Sequence, residues 1–323
     1  MKAFFLAYAS LYLVVNARRY DLVVSPEDPA GIAALLNTLR RIGVWRGRLV
    51  CWLMDLASHQ DDLVSGLGGV RRLRRRLRFW IEGAYRSADA VVTLGSCMAA
   101  RLTERAVLQS RICVIGAWTL VDSMMSSQPT DIQMFSDRNL QVLYSGHLGE
   151  WADVDLLVGL IRRARGQRIS FTFAGNGQGM DQLRSMAAEE LWDHTRFIGR
   201  VPGPEVPQLL TSADVHLACL DARFLGTCVP SKTYAAMAVG RPILFLGPSA
   251  CQAALDISAS QGGFVSDGDA SGAIQFLLDL RDYRSLAQAK GGQGRHWYEA
   301  NRSRSVAAQQ WQALLDSIAP EAR

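Results

Sequence analysis

The chain contains very little lysine. Of its 35 basic residues three are lysines, at positions 2, 232 and 290, and the rest are arginines. In a chain with this bias a lysine marks a place where a compact ammonium on a flexible stem suits better than a planar guanidinium. Lys232 is the lysine that lies within a motif, the stretch 224–242, FLGTCVPSKTYAAMAVGRP.

Long apolar runs and paired cysteines are also missing. The sequence has no run of 18 apolar residues, so we expect no transmembrane helix. The cysteines show no metal-site spacing, and we expect reduced core thiols of a cytosolic protein, without disulfides or zinc. The first residues, MKAFFLAYASLYLVVNARRYD, imitate a signal peptide. One positive charge precedes the apolar run and a strand follows directly, so we expect a buried helix instead.

Length and composition predict a folded protein of two domains. The 323 residues are 49% hydrophobic and 20% charged, which suits sizeable cores. Charge is uneven: residues 1–130 hold 17 basic and 10 acidic residues, whereas residues 131–323 hold 18 and 20. The first half therefore faces an anionic partner or is simply arginine-rich at its surface.

Helices and strands are predicted to alternate along both halves. In the first half we expect helices over 3–18, 30–42, 68–87 and 96–107, and strands over 21–25, 48–54, 90–94 and 112–116. In the second half the strands fall at 140–145, 171–174, 196–198, 215–220 and 243–246, and helices follow at 250–259, 270–280, 283–300 and 303–318. Alternation with apolar strands predicts parallel sheets covered by helices. The polar, turn-rich stretch 122–138 is the expected domain boundary.

The predicted helix over 68–87 contains a cluster of six arginines, RRLRRRLR at 71–78, followed by Phe79 and Trp80. An apolar stripe with 3,4 spacing runs along it: Leu73, Leu77, Trp80, Ile81, Ala84 and Tyr85. A basic amphipathic helix of this kind can lie on an anionic membrane, or it is a packed helix with solvated arginines. No aromatic platform or recognised motif favours nucleic acid.

Ser231 and Lys232 form a candidate anion site. Ser231 is expected to cap a short helix that ends at Gly240 and Pro242. A hydroxyl, an ammonium and free helix amides then point the same way. An ordinary capped helix with a surface lysine is the alternative.

Four ordered stretches resemble bacterial glycosyltransferases of family 4: VLYSGHLGEWADVDLL at 142–157, FTFAGNGQGMDQL at 171–183, RFIGRVPGPEVPQLLTSADVHL at 196–217 and VPSKTYAAMAVGRPILF at 229–245. The resemblance implies an α/β protein of the GT-B fold, with two Rossmann-like doubly wound domains facing a cleft and a first domain that is short at its N-terminus. The implied domain boundaries are 1–125 for an acceptor-side domain, 138–302 for a nucleotide-sugar domain and 303–323 for a helix that crosses back to the first domain. Trp311, Leu314 and Leu315 of this helix are expected to pack against the first domain.

The resemblance also implies a function and a site. The reaction would move a sugar from a nucleoside diphosphate sugar to a hydroxyl of a cell-surface polysaccharide or lipid-linked oligosaccharide, with retention and without metal or other cofactor. The enzyme would be cytoplasmic and peripheral on the inner face of the cell membrane, with an anionic membrane surface bound through the helix 71–78 and no nucleic acid partner. Catalytic roles fall on Lys232 and Asp55, and donor-binding roles on Gly146, His147, Gly149, Asn176, Gly199, Arg200, Val201, Val229, Pro230, Ser231 and Lys232.

Three departures from the family pattern keep other functions open. The opening glycine-rich segment is missing, so the true start lies upstream or the domain is trimmed. Glu150 and Trp151 stand where a cation usually follows the first glycine loop, and the two usual glutamates fall on Thr227 and Ala235. Asp55 is also readable as a capping residue at a strand end. A non-catalytic binding or assembly paralogue and a nucleotide-sugar 2-epimerase of the same fold remain alternatives.

Overall fold

The computed structural model describes residues 2–27, 31–56, 71–121 and 139–319. The chain divides into two compact units. Unit 1 comprises Met1–Gly116, Gly226–Val229 and Ala307–Arg323, and unit 2 comprises Ala117–Leu225 and Pro230–Val306. The predicted boundary segment 122–138 lies outside the described residues.

Unit 1 contains a parallel sheet with the predicted alternation of strands and helices. Its described strands pair in the order β1-β2-β3-β4, and all pairs are parallel. The strands are β1 (Leu22–Pro26), β2 (Arg48–Leu53), β3 (Ala90–Thr93) and β4 (Ile112–Val114). The helices are α1 (Lys2–Asn16), α2 (Ile32–Arg41), α3 (Arg71–Ser87) and α4 (Ser96–Thr103). Apart from the exposed Arg48 that begins β2, strands β2 and β3 are mostly apolar and almost fully buried, as expected for a sheet covered on both faces.

Helix α1 is a helix as predicted, but the prediction that it is buried is wrong. Tyr8, Leu11 and Val15 are exposed, whereas Leu13 is buried. The apolar residues of α1 lie on all sides of the helix, and a pattern without a polar face cannot indicate which side packs. Helix α1 packs on α2, and among its described side chains Tyr8, Leu11 and Val15 remain in solvent.

The predicted apolar stripe of α3 is divided in the structure. Ile81, Ala84 and Tyr85 are buried, whereas Leu77 and Trp80 are exposed. Leu73 lies outside the residues whose side chains are described. Helix α3 packs against α2, and Ile81, Ala84 and Tyr85 are the described stripe residues that are buried in the core. Leu77 and Trp80 present apolar side chains to solvent.

The C-terminal helix α12 (Arg304–Ile318) contributes its residues from Ala307 onward to unit 1. Trp311 meets Trp52 of β2 edge to face, with ring centroids 5.3 Å apart. Leu314 and Leu315 are partly buried. This segment is therefore part of the unit formed mainly by the start of the chain.

Unit 2 contains a six-stranded parallel sheet in the described part of the chain, with the order β10-β9-β8-β5-β6-β7. The strands are β5 (Leu140–His147), β6 (Ile169–Asn176), β7 (Thr195–Ile198), β8 (Val215–Cys219), β9 (Ile243–Leu246) and β10 (Gly263–Ser266). The strand order reverses between β5 and β8. In sheets of this kind ligands bind at the carboxyl ends of the strands at the reversal.

The helices of unit 2 cover its sheet. They are α5 (Val154–Ala164), α6 (Gln178–Glu189), α7 (Val206–Ser212), α8 (Lys232–Ala238), α9 (Gln252–Ser260), α10 (Ala270–Asp282) and α11 (Arg284–Asn301). One buried network links three of them. Asp256 on α9 accepts hydrogen bonds from Tyr234 on α8 at 2.8 Å and from the Arg302 guanidinium just after α11 at 2.9 and 3.0 Å. The network fixes the short helix that carries Lys232.

Candidate functional site

A cavity of about 780 Å³ opens at the carboxyl edge of the unit 2 sheet. Its walls come from the ends of β5 and β6, the segment after β7 and the helix α7. The lining residues are Ser145, Gly146, His147, Ala174, Gly175, Asn176, Arg200, Val201, Pro202, Gly203, Val206 and Leu209. The site is therefore beside the strand reversal, where parallel sheets of this order bind ligands.

Two glycines allow the strand ends of β5 and β6 to approach each other. Gly146 has φ +125° and Gly175 has φ +135°, values that favour glycine. A Cβ at Gly175 would lie 2.1 Å from the carbonyl oxygen of Gly146. Both strands continue beyond their predicted ends, through these glycines to His147 and Asn176. The glycines therefore shape a wall of exposed backbone that a side chain would fill.

His147 and Asn176 form a polar pair at this edge. His147 Nδ1 lies 2.9 Å from Asn176 Oδ1, and the Trp151 ring tilts against the imidazole at 5.3 Å between centroids. Both members of the pair line the cavity. They offer hydrogen-bonding groups to a ligand that enters between the strand ends.

Lys232 reaches the same edge from α8. Its Nζ donates to the hydroxyl of Tyr144 on β5 and lies 3.7 Å from the centroid of that ring. Its Cε lies 3.6 Å from the position that a Gly146 Cβ would occupy. Burial raises the pKa of the Cys219 thiol at the end of β8 to about 11, and the nearby charge of Lys232 acts against that rise. The ammonium thus lies at the ends of β5 and β8, next to the glycine wall.

The Ser231 prediction is corrected in its detail. Ser231 does precede α8, but its side chain makes no capping hydrogen bond, and its backbone is already helical. Gly240 ends the helix region with φ +68°, as expected. Because α8 has only seven residues, its amides and dipole contribute little to anion binding. The ammonium of Lys232 is the main positive group that this segment supplies.

The structure places the other predicted donor residues in three different ways. Arg200 and Val201 line the cavity together with Gly146, His147 and Asn176, whereas Lys232 lies beside Gly146 and is not itself a lining residue. Gly149, Gly199, Pro230 and Ser231 belong to unit 2 but do not line it. Val229 belongs to unit 1.

Asp55 follows β2 in unit 1 and is exposed. Although the residue is exposed by surface area, nearby protein atoms displace part of the water around its carboxyl, and this partial desolvation raises its pKa. The backbone N–H of the next residue, Leu56, donates to the carbonyl of Thr227 at 2.7 Å. Thr227 is buried, and Ala235 lies on α8. The two positions at which the family resemblance implies glutamates therefore supply no carboxylate.

An arginine in the segment after β8, Arg223, is paired with Asp221, and the Asp221 backbone contacts the loop that follows Gly149. The Trp151 carbonyl accepts a hydrogen bond from the Asp221 amide at 2.7 Å. The Asp221 carboxylate binds the Arg223 guanidinium at 2.9 and 2.6 Å, and this contact lowers the pKa of Asp221. Because the Arg223 guanidinium pairs with Asp221, its charge is partly compensated.

Sequence reasoning missed Tyr144 and the apolar wall of the cavity. Tyr144 occupies an apolar position of β5, and its contact with Lys232 joins residues 88 positions apart. Val206 and Leu209 belong to α7, and nothing in their sequence pattern indicates that they line a cavity. A phenol in a buried strand that ends at a glycine loop is the signal that could have indicated Tyr144.

None of the helices in the described part of the chain has the length and apolar character that crossing a bilayer requires.

Comparisons with known proteins agree with this architecture. The family model "Glycosyl transferase 4-like domain" matches residues 3–118, and "Glycosyl transferases group 1" matches residues 139–282. The glycosyltransferase WbjE of Pseudomonas aeruginosa is 24% identical over 324 residues, which cover 97% of this chain and 79% of WbjE. WcaI of Escherichia coli K12, named as a glycosyl transferase of colanic acid biosynthesis, is 23% identical over 200 residues, 58% of this chain and 49% of WcaI.

A solved structure with the same fold is that of HepE from Anabaena in complex with UDP-glucose. Its TM-score is 0.73 at 16% identity, with 95% of this chain and 82% of HepE covered. The two family models together span most of the chain, one on each side of the undescribed segment 122–138. The sheet order, the cavity at the strand reversal and these matches lead to one conclusion: the chain is a glycosyltransferase of the GT-B fold that belongs to family 4.

Proposed function

We propose that the cavity of unit 2 binds a nucleoside diphosphate sugar, with the diphosphate between the Gly146 backbone and the Lys232 ammonium. The observation that carries this proposal is the position of Lys232, whose Cε lies 3.6 Å from the place that a Gly146 Cβ would take. Exposed backbone beside a cation suits phosphate oxygens. The fold neighbour HepE was solved with UDP-glucose, which supports the same class of donor.

The proposed reaction transfers the glycosyl group to an acceptor hydroxyl and releases a nucleoside diphosphate. The bond from the anomeric carbon to the phosphate oxygen breaks, a bond to the acceptor oxygen forms, and negative charge grows on the diphosphate. Lys232 stabilises this charge, and a fixed cation worth about 3 kcal/mol corresponds to roughly 100-fold in rate. We propose that no metal takes part and that the anomeric configuration is retained.

The proposed acceptor is a growing cell-surface polysaccharide or a lipid-linked oligosaccharide. The relative WcaI is named for colanic acid biosynthesis, which supports this acceptor class. Asp55 is the second residue to which we assign a catalytic role, since a desolvated carboxyl with a raised pKa is common at functional sites. Asp55→Asn is expected to lower kcat and to leave nucleotide affinity within about twofold.

We further propose that unit 1 contacts an anionic membrane surface through α3, so that the enzyme is peripheral on the inner face of the cell membrane. Leu77 and Phe79 are 50% and 70% exposed and stand beside the exposed Arg76. Apolar side chains flanked by arginine suit the boundary between headgroups and acyl chains. Arg78 and Arg86 pair with Glu82 at 3.8 and 3.4 Å, so these two arginines contribute less free charge.

Vesicle flotation tests the membrane proposal. The protein should float with vesicles of anionic phospholipid and stay in the soluble fraction with zwitterionic vesicles. Replacing both Leu77 and Phe79 with serine should reduce flotation at least fivefold. Leu191→Ser removes a leucine that is 75% exposed in unit 2 and serves as the matched control. Equal flotation of both variants would contradict the role of α3.

Donor turnover tests the central proposal against its two rivals. The protein is incubated with UDP-, GDP- and ADP-sugars labelled in the sugar, with and without a lipid-linked oligosaccharide fraction. Transfer predicts labelled lipid that depends on the acceptor, and NMR of the product reads its anomeric configuration. A free sugar or an epimer formed without acceptor would favour the 2-epimerase. Absence of both nucleotide binding and turnover would favour the non-catalytic paralogue.

A further inference from the structure

The Tyr144 side chain lies at the centre of the contacts around Lys232. It is 1% exposed, and its hydroxyl donates to the carbonyl of His147 at 2.8 Å. The same hydroxyl accepts from the Lys232 ammonium. One phenol therefore joins the end of strand β5 to the cation supplied by α8.

The hydrogen-bonding capacity of the hydroxyl explains why the ammonium lies where it does. A phenol has one proton to donate and lone pairs to accept with. Its proton is used by the His147 carbonyl, so a lone pair remains for a donor. Desolvation raises the pKa of Tyr144 well above its ordinary value, which keeps the phenol neutral and able to fill both roles.

The ring of Tyr144 restricts the ammonium further. Lys232 Nζ lies 3.7 Å from the ring centroid, at a distance typical of cation–π contacts. Phe173 stacks against the ring with centroids 6.0 Å apart, so the ring itself is fixed in the core. A lysine side chain that is mobile before binding loses rotamer freedom when a ligand orders it. Tyr144 holds the stem in place before any ligand arrives.

We propose that Tyr144 is a positioning residue for Lys232, which it holds at the place where the leaving diphosphate binds. The inference rests on the proposed function of the cavity. Tyr144 acts through Lys232, and its hydrogen bond to the His147 carbonyl fixes the orientation of its hydroxyl. It touches no reacting atom. Removal of its hydroxyl leaves the ammonium free to leave the glycine wall, so the cation stabilises the departing charge less well.

A double-mutant cycle tests whether Tyr144 acts through Lys232. The variants are Tyr144→Phe, Lys232→Ala and the combination, and the readouts are kcat, KM and the Kd of UDP. We expect Tyr144→Phe to lower kcat about tenfold with KM changed less than threefold. In the Lys232→Ala background the same change should alter kcat less than twofold. Tyr298→Phe, which removes a buried hydroxyl that accepts from the Thr119 amide at 3.3 Å, should leave kcat unchanged.

The scarcity of lysine gives a second readout that needs no activity. Reductive ¹³C-methylation labels the three lysines, and Lys232→Ala identifies one of their signals. The Tyr144 ring should shift the Lys232 methyl signal, whereas Lys290 lies 6.0 Å from the Phe276 ring and serves as an internal reference. In Tyr144→Phe the Lys232 signal should move towards the position of a free lysine, and the Lys290 signal should stay.

The outcomes distinguish the two proposals. If the wild type turns over a donor and Tyr144→Phe matches it in kcat and in the Lys232 signal, the positioning role is wrong and the donor site stands. An equal loss of kcat in both Lys232 backgrounds would also overturn it, since Tyr144 would then act without the lysine. If the wild type has no turnover and binds no nucleotide, the proposed function fails. The Lys232 signal then still decides whether Tyr144 holds the ammonium.

Discussion

Gly175→Ala tests the close approach of strands β5 and β6 at the cavity. The new Cβ would lie 2.1 Å from the Gly146 carbonyl oxygen and 2.8 Å from its carbonyl carbon. Both neighbours are backbone atoms, so the steric clash can be removed only if the strand end moves. The residue also has φ +135°, which costs an alanine about 1–3 kcal/mol, and overpacking adds about 1–3 kcal/mol. We expect unit 2 to lose about 2–6 kcal/mol of stability.

Calorimetry measures both consequences of this substitution. The melting temperature of unit 2 should fall by at least about 4 °C, and nucleotide affinity should fall at least tenfold because the Gly146 backbone moves. Gly292→Ala is the matched control, because Gly292 lies exposed in α11 with nothing within 4 Å of the position that a Cβ would occupy. Alanine there should stabilise by about 0.5–1 kcal/mol. Wild-type stability and affinity in Gly175→Ala would refute the reasoning.

Asp256→Asn should lower the free energy of unfolding in urea by about 3–5 kcal/mol, because it leaves the Arg302 guanidinium without its buried carboxylate partner. A decrease below about 1 kcal/mol would show that stability does not depend on this ion pair. Burial lowers the pKa of His216 to about 4 from 6.5, so the unfolded chain binds the proton more readily, and stability should fall by up to about 3 kcal/mol as pH drops from 6.5 towards 4. His216→Gln keeps a donor for the Leu210 carbonyl and should remove most of this pH dependence. If the variant loses stability with falling pH as steeply as the wild type, His216 is not the group responsible. Turnover should be the same in EDTA as in Mg²⁺, and a loss in EDTA that Mg²⁺ restores would contradict the metal-independent mechanism.

Strand positions were predicted well where an apolar run ends at a glycine or proline. The strand β9 was predicted at Ile243–Leu246 and is found there, because Pro242 and Gly247 limit a run that is buried on both faces. Strand β10, with Gly263 and Ser266 at its ends, was missed. It is four residues long and lies at the sheet edge, where its pairing with β9 rather than its own pattern makes it a strand.

Side-chain contacts were predicted less well than elements. The apolar sequence of α1 indicated burial, but burial depends on what the rest of the fold places beside it. Ser231 was assigned a capping hydrogen bond from its residue type. In the structure its backbone is already helical, and its side chain makes no capping hydrogen bond. The contact between Tyr144 and Lys232 depends on the tertiary arrangement of β5 and α8. A sequence motif indicates Lys232 and gives no information about its partner.

Nucleotide binding by the full chain tests the central claim most directly. Titration calorimetry with UDP, GDP, ADP and CMP measures nucleotide affinity. The comparison of the wild type with Lys232→Ala shows how much of that affinity depends on the lysine. We predict that one nucleoside diphosphate binds selectively and that Lys232→Ala weakens it at least tenfold, about 1.4 kcal/mol. Absence of binding by all four nucleotides, or equal affinity in Lys232→Ala, would contradict the assignment of the unit 2 cavity as the donor site.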